Sequence, residues 1–166
     1  MADERVNLAD LYAAHYPALV RLAGFLLGSA AGAEDVAQDA FVRMATATVP
    51  LREPERALGY LRSVVVNACR SSHRHRLVVD RYERRLRVAN DVRSAEESAF
   101  TAFDRDELVT ALRRLSPRKR EVVVLRHYCD MSEAAVADLL SVSVGTVKSL
   151  SSRGLADLAV SMRGDA

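Results

Sequence analysis

Residues 141–155, SVSVGTVKSLSSRGL, place a tight turn directly ahead of an amphipathic helix whose outer side carries Thr, Lys, Ser and Arg. The eight residues before it, EAAVADLL, have the apolar spacing of a short helix. A short helix, a turn over Ser141–Ser143 and a longer second helix is the spacing of a helix-turn-helix. The pair is predicted to pack through Ala137, Leu140, Val142, Val147 and Leu158, with Gly154 on the same side of the last helix. Gly145, Lys148, Ser149, Ser152 and Arg153 then project from the opposite side. The small residues let such a helix sink into a major groove, where Lys148 and Arg153 reach phosphates or guanine edges. Ser143 is the expected N-cap, and the free N–H groups of the first turn suit a phosphate. The plain alternative is a structural helical hairpin, and the rest of the chain decides between the two.

The chain has 166 residues, 49% hydrophobic and 28% charged, with only 7 Gly and 4 Pro. Abundant Ala, Leu, Val and Arg favour helices over a sheet, and the length suits two small domains. No window reaches the apolar length of a membrane span, and the N-terminus MADERVNLAD resembles neither a signal nor a transit peptide, so a cytoplasmic protein is expected. Cys69 and Cys129 lie far apart in apolar helical patterns and are expected to be buried free thiols. Cys69, His73 and His75 lack a fourth ligand at usual spacing, so no metal or other cofactor is expected.

Net charge is only +2, but it is unevenly spread. Residues 62–93 hold nine Arg against Asp80, Glu83 and Asp91, and residues 111–166 hold nine basic against six acidic residues. Residues 1–61 and 94–110 are net acidic. Two basic blocks parted by an acidic one suggest two contacts on a polyanion, although Arg-rich helix faces are commonly just solvated.

Helical spacing runs from Leu8 to Leu27, breaks at GSAAGAED, and resumes over Ala33–Thr46 with Val36, Ala37, Ala40, Phe41 and Met44 facing in. A long third helix is predicted from Glu55 to Arg87, with Leu58, Leu61, Val65, Ala68 and Cys69 inward. Residues 89–103 are read as a linker. The second domain starts at Asp104 with Leu108, Leu112 and Leu115 on one side. Ser116-Pro117 is a helix start, Asp130 or Ser132 caps the next helix, and the last helix spans Val144 to about Ser161. The fold class is therefore all-α: two small helical domains, 1–88 and 104–163, joined by a linker.

At this point a resemblance becomes specific. VGTVKS followed by Ser152-Arg153 resembles the promoter-reading helix of an extracytoplasmic-function (ECF) sigma factor, and LRRLSPRKREVVVLRHYCDMSEAAVADLL resembles the rest of that family's region 4. AEDVAQDAFVRM is similar to the region 2 segment that grips the RNA polymerase clamp, and YLRSVVVNACRSSHRHR to the segment that opens and reads the −10 element. Together they resemble the short actinobacterial SigE-like group. The resemblance implies contacts to the −35 element by Ser143, Thr146, Lys148, Ser149, Ser152 and Arg153. It implies polymerase binding by Asp35, Gln38, Asp39 and Val42, and a −10 pocket formed by Asn67 with residues between Ala47 and Ala57.

The residues themselves support the last role. Tyr60, Ser63, Asn67, Arg70 and Arg74 share one face of the third helix at intervals of three and four. An aromatic ring, an amide and guanidiniums are the ingredients for holding single-stranded nucleic acid. The chain departs from the family pattern in places. Ser141 stands where many relatives have Gly, Tyr60 where many have Trp, and Asp39 where Glu is usual. Leu150 and Ser151 replace larger polar or basic residues. Core RNA polymerase and promoter DNA, duplex and single-stranded, are the implied partners, with an anti-sigma factor as a further one. Asp35 and Asp39 have no substrate cradle nearby, so no enzyme is expected. The rival function is a polymerase-independent helix-turn-helix regulator, which predicts tight binding of a palindromic duplex by the chain alone.

Overall fold

The computed structural model describes residues 6–47, 52–86 and 107–164, with side chains as far as residue 75 in the second segment. Every element in them is helical: α1 (Leu8–Leu27), α2 (Ala33–Thr46), α3 (Pro54–Leu86), α4 (Glu107–Arg114), α5 (Pro117–Val123), a π-helical turn (Val124–Tyr128), α6 (Glu133–Leu140) and α7 (Val144–Arg163). The expected linker, 89–103, and the last predicted residue of the third helix, Arg87, lie outside the described residues.

α1, α2 and α3 form the first bundle. Asn7 caps α1 by accepting from Ala9 N, and Gly28 ends it in the left-handed region at φ 65°. Ser29 N then returns to Gly24 O, the closing bond of a Schellman motif. Leu11, Leu19, Leu22, Phe25, Ala37, Ala40, Phe41, Leu61, Val65 and Cys69 fill the interior. Val36, Met44, Leu58 and Ala68 are half-buried at its margin, and Val66, which the pattern did not place inward, is buried. Burying each large aliphatic side chain contributes about 1.5–3 kcal/mol, which is how so few helices make a core.

α4 to α7 form the second bundle. Val109, Ala111 and Leu112 of α4 are buried, with Leu115 just after it, whereas Leu108, expected inward, is half-buried. Ser116 precedes Pro117 as expected, yet its side chain makes no capping bond. α5 does not stop cleanly. It widens into the π turn, where Cys129 N bonds Val124 O five residues back. Ser132, not Asp130, caps α6 by accepting from Ala135 N, while Asp130 turns the chain at φ 52°. α3 begins one residue before the expected Glu55, and α7 runs two residues past Ser161. Cys69 is buried, but Cys129 is only half-buried because it ends the π turn at the bundle's surface; neither forms a disulfide.

Candidate nucleic-acid and polymerase interfaces

The turn between α6 and α7 sets the first site. Ser141 adopts φ 55°, ψ 47°, and Val142 N returns to Ala137 O. A non-glycine residue in this region carries strain of about 1–2 kcal/mol, so a Gly would sit here more easily. The axes of α6 and α7 are thereby bent 104° apart, within the range of a helix-turn-helix. Val147 and Gly154 anchor α7, with Ala137, Leu140 and Val136 beneath it. A Cβ at Gly154 would stand 2.6 Å from Val123 Cγ2, so glycine is what lets α7 lie this close to α5. Val142 and Leu158, expected in the same contact, are half-buried against it.

With that side anchored, Ser143, Thr146, Lys148, Ser149, Ser152 and Arg153 are all exposed on the outer side of α7. Ser143 is the N-cap: its Oγ accepts from Thr146 N at 3.1 Å and pairs with Thr146 Oγ1 at 2.8 Å. Lys148 Nζ lies 3.7 Å from Glu133 Oε2, a loose surface pair that leaves the ammonium free to swing. His127 and Ser151 approach at 3.3 Å on the flank of the same face. The result is a helix N-terminus with a hydroxyl rim and two cations, fitted by size and charge to a duplex groove.

The second site is the outer face of α3. Asn67 and Arg74 are exposed, and Tyr60 is half-buried. Ser63 donates its hydroxyl to Tyr60 O at 2.7 Å, so it braces the helix more than it faces solvent. Arg70 is the exception to the expected open face. Its guanidinium meets the Glu121 carboxylate with two bonds, Nε to Oε1 at 2.8 Å and Nη2 to Oε2 at 2.9 Å. Those bonds push its pKa further up against the opposing pull of burial. Of the stretch expected to complete this pocket, residues 48–51 lie outside the described residues.

The third site is the outer stripe of α2, where Asp35, Gln38, Asp39 and Val42 are all exposed, Val42 at 59%. Asp39 holds Arg43 at 2.8 Å one turn on. Gln38 Nε2 donates to Tyr16 OH at 3.3 Å, and Tyr16 stacks on Tyr12 with centroids 4.4 Å apart. The acidic stripe thus abuts an aromatic patch on α1 that the sequence reading did not include; Tyr12 and Tyr16 one helical turn apart were its only trace.

Sequence reasoning also missed the contacts between the bundles, made by Arg113, Arg120, Glu121 and Tyr128. A signal was present. Arg120 and Glu121 stand one helical turn before the buried Val124 and Leu125, so charges occupy core-facing positions in an apolar run.

The comparisons agree with this geometry. The family described as Sigma-70 region 2 matches residues 11–77, and Sigma-70, region 4 matches residues 105–158. The chain is 36% identical over 141 residues to the RNA polymerase sigma-E factor of Streptomyces avermitilis, covering 85% of this chain and 76% of that protein. It is 32% identical over 152 residues to the ECF RNA polymerase sigma factor SigL of Mycobacterium tuberculosis, covering 89% and 84%. In fold it is similar to the sigma factor RpoE of Bartonella quintana, solved in complex with the anti-sigma factor NepR, with a TM-score of 0.67 at 21% identity over 95% of this chain and 98% of that one. By sequence, by the order of its two helical regions and by fold, the chain belongs to the ECF group of sigma-70 RNA polymerase sigma factors.

Proposed function

We propose that this sigma factor reads one promoter in two physical states at once: intact duplex through α7 and melted strand through α3, while α2 rests on core RNA polymerase. In this reading residues 1–88 act as region 2, residues 104–163 as region 4, and 89–103 as the tether. The observation that carries it is the sidedness of α7. Val147 and Gly154 are buried while Ser143, Thr146, Lys148, Ser149, Ser152 and Arg153 all face solvent from a capped helix N-terminus. The hydroxyls supply adaptable donors and acceptors for base edges, and Lys148 and Arg153 neutralise phosphates of the −35 duplex.

On α3, Tyr60 offers a ring for an unpaired base, Asn67 an amide for its edge, and Arg70 and Arg74 cations for the backbone, with Ser63 holding the helix beneath them. Extruding a base costs a few kcal/mol, which these contacts must offset. One short helix and one single-strand pocket bind free promoter poorly, so recognition depends on polymerase, held through Asp35, Gln38, Asp39 and Val42. The chain contributes binding and orientation and catalyses nothing itself. Its place of action is the cytoplasm, on the nucleoid when polymerase-bound. Because RpoE was solved with an anti-sigma factor, a partner of that class is proposed here also, on a helical surface overlapping the polymerase face.

Run-off transcription with core polymerase on genomic fragments enriched by the holoenzyme tests the reading. Specific starts that need this chain, and that fade when Asn67 or Lys148 is replaced by Ala, are expected. Tight palindromic duplex binding by the chain alone, with no polymerase-dependent start, would favour the regulator instead.

A further inference from the structure

The two flanks of α7 are unequal in charge. Lys148 follows the buried Val147, and Arg153 precedes the buried Gly154. At about 100° per residue the two cations therefore lie on opposite sides of the outer face, each toward one phosphate wall of a major groove. Lys148 does not stand alone on its side: Glu133 Oε2 lies 3.7 Å from its Nζ. That carboxylate offsets the lysine, so the pair brings no net charge to its wall, whereas Arg153 brings one to the other.

The Lys148 flank also holds an imidazole. Ser151, three residues on from Lys148 and turned toward the buried side, has its Oγ 3.3 Å from His127 Nε2. His127 comes from the π turn and is exposed. Ser151 is small where larger polar or basic residues are usual in the family, and the imidazole takes the place of such a side chain. When protonated, the ring donates from both nitrogens. Nε2 then serves the serine hydroxyl, and Nδ1 is left for a phosphate oxygen.

Charged groups surround this ring from several elements. On its own turn, Arg126 donates Nη1 to Met131 O, and Asp130 is exposed. α6 presents Glu133 and α7 Lys148, already paired with each other. From α5, Lys119 is held by Asp157 of α7 at 2.5 Å. Arg21 of α1 and Arg62 of α3 act on the neighbouring Tyr128, whose hydroxyl turns away to Ala18 O. On the outer side the charges pair off, so the largest change at the ring when DNA binds is the arriving phosphate.

We propose that His127 is a proton-dependent phosphate contact of the −35 duplex, bound as imidazolium, so that promoter recognition through α7 takes up a proton. This rests on the assignment of α7 to that duplex. Histidine is the side chain whose charge changes between about pH 5 and 8, and a neighbouring anion favours its charged form. The bound state then holds the proton more tightly than the free chain. Affinity accordingly rises as pH falls through this range and is lost as pH rises.

The test uses holoenzyme assembled from core polymerase and the full chain, on a promoter fragment enriched from genomic DNA by that holoenzyme. Fluorescence anisotropy is read near pH 6 and near pH 8 over a range of salt. Relative to His127→Gln, wild type should gain roughly fivefold in affinity from pH 8 to pH 6, and its salt slope near pH 6 should be steeper by about 1. His127→Lys, charged at both values, should bind near pH 8 about as tightly as wild type does near pH 6, with the pH response of His127→Gln. His15, His73 and His75 are common to all three proteins, so these differences belong to position 127. An equal pH response in wild type and His127→Gln would overturn the proposal. His127→Lys as weak as His127→Gln would place the charge away from DNA and overturn it too. A loss that varies with promoter sequence would put the ring on a base edge and overturn the phosphate contact. Arg153→Ala checks the underlying site: unchanged affinity there condemns the −35 assignment of α7 itself.

Discussion

Replacing Gly154 by Ala would normally help a helix, since Ala gains about 1 kcal/mol over Gly in helical propensity. Here it should do the opposite. The new Cβ would lie 2.6 Å from Val123 Cγ2 and 3.4 Å from both Lys119 Cβ and Lys119 O. Val123 is 4% exposed, and a β-branched side chain has little rotamer freedom with which to retreat. The backbone of α7 must therefore move off α5, and overpacking of this kind costs about 1–3 kcal/mol. Set against the propensity gain, a net loss of about 1 kcal/mol, and at most about 2, is expected in urea-unfolding free energy. The displacement also tilts the outer face of α7, so −35-dependent transcription should fall further than stability alone explains. Gly154→Ala with wild-type or higher stability and full promoter activity would refute the packing argument, and with it the reason a glycine sits in the middle of this helix.

Other outcomes follow from the same geometry. Ser141→Gly relieves a left-handed residue at φ 55° and should raise stability by about 1 kcal/mol, read as a higher Tm with unchanged transcription. Lys148→Ala should weaken holoenzyme binding about equally across promoter sequences and reduce the salt slope by about 1, as loss of one phosphate contact does; a sequence-selective loss would place Lys148 on a base edge instead. Burial pushes the Cys129 thiol above the ordinary range, only partly opposed by Arg62. The native state therefore holds that proton more tightly than the unfolded chain, and this contribution to stability is lost as pH rises through the native value. Alkylation by iodoacetamide near pH 8 should accordingly be slower at Cys129 in the native chain than in urea.

The helices were legible wherever one side is apolar and both ends carry punctuation. Gly28 and Gly32 close α1 and open α2, and Ser132 and Ser143 cap the helix-turn-helix with their own side chains. The outer residues of α7 could be named in advance because exposure on an amphipathic helix is a matter of phase. The π turn could not, since nothing in VLRHY marks one inserted residue, and it decides where Tyr128 points. Arg70 was legible as a cation on the α3 face but not as one already engaged. Its partner, Glu121, lies 51 residues away, and only packing of the two bundles brings them together. The aromatic patch of Tyr12 and Tyr16 beside the acidic stripe escaped for the same reason: α1 and α2 had to be docked before it existed.

Site-directed photocrosslinking within an assembled open complex tests the central claim most directly. A photoreactive residue at position 67 should label the single strand of the melted −10 region, and one at position 149 should label duplex at the −35 element, both from the same molecule and only with polymerase present. Failure of position 67 to label the bubble, while position 149 still labels duplex, would contradict the account: the chain would then read double-stranded DNA alone.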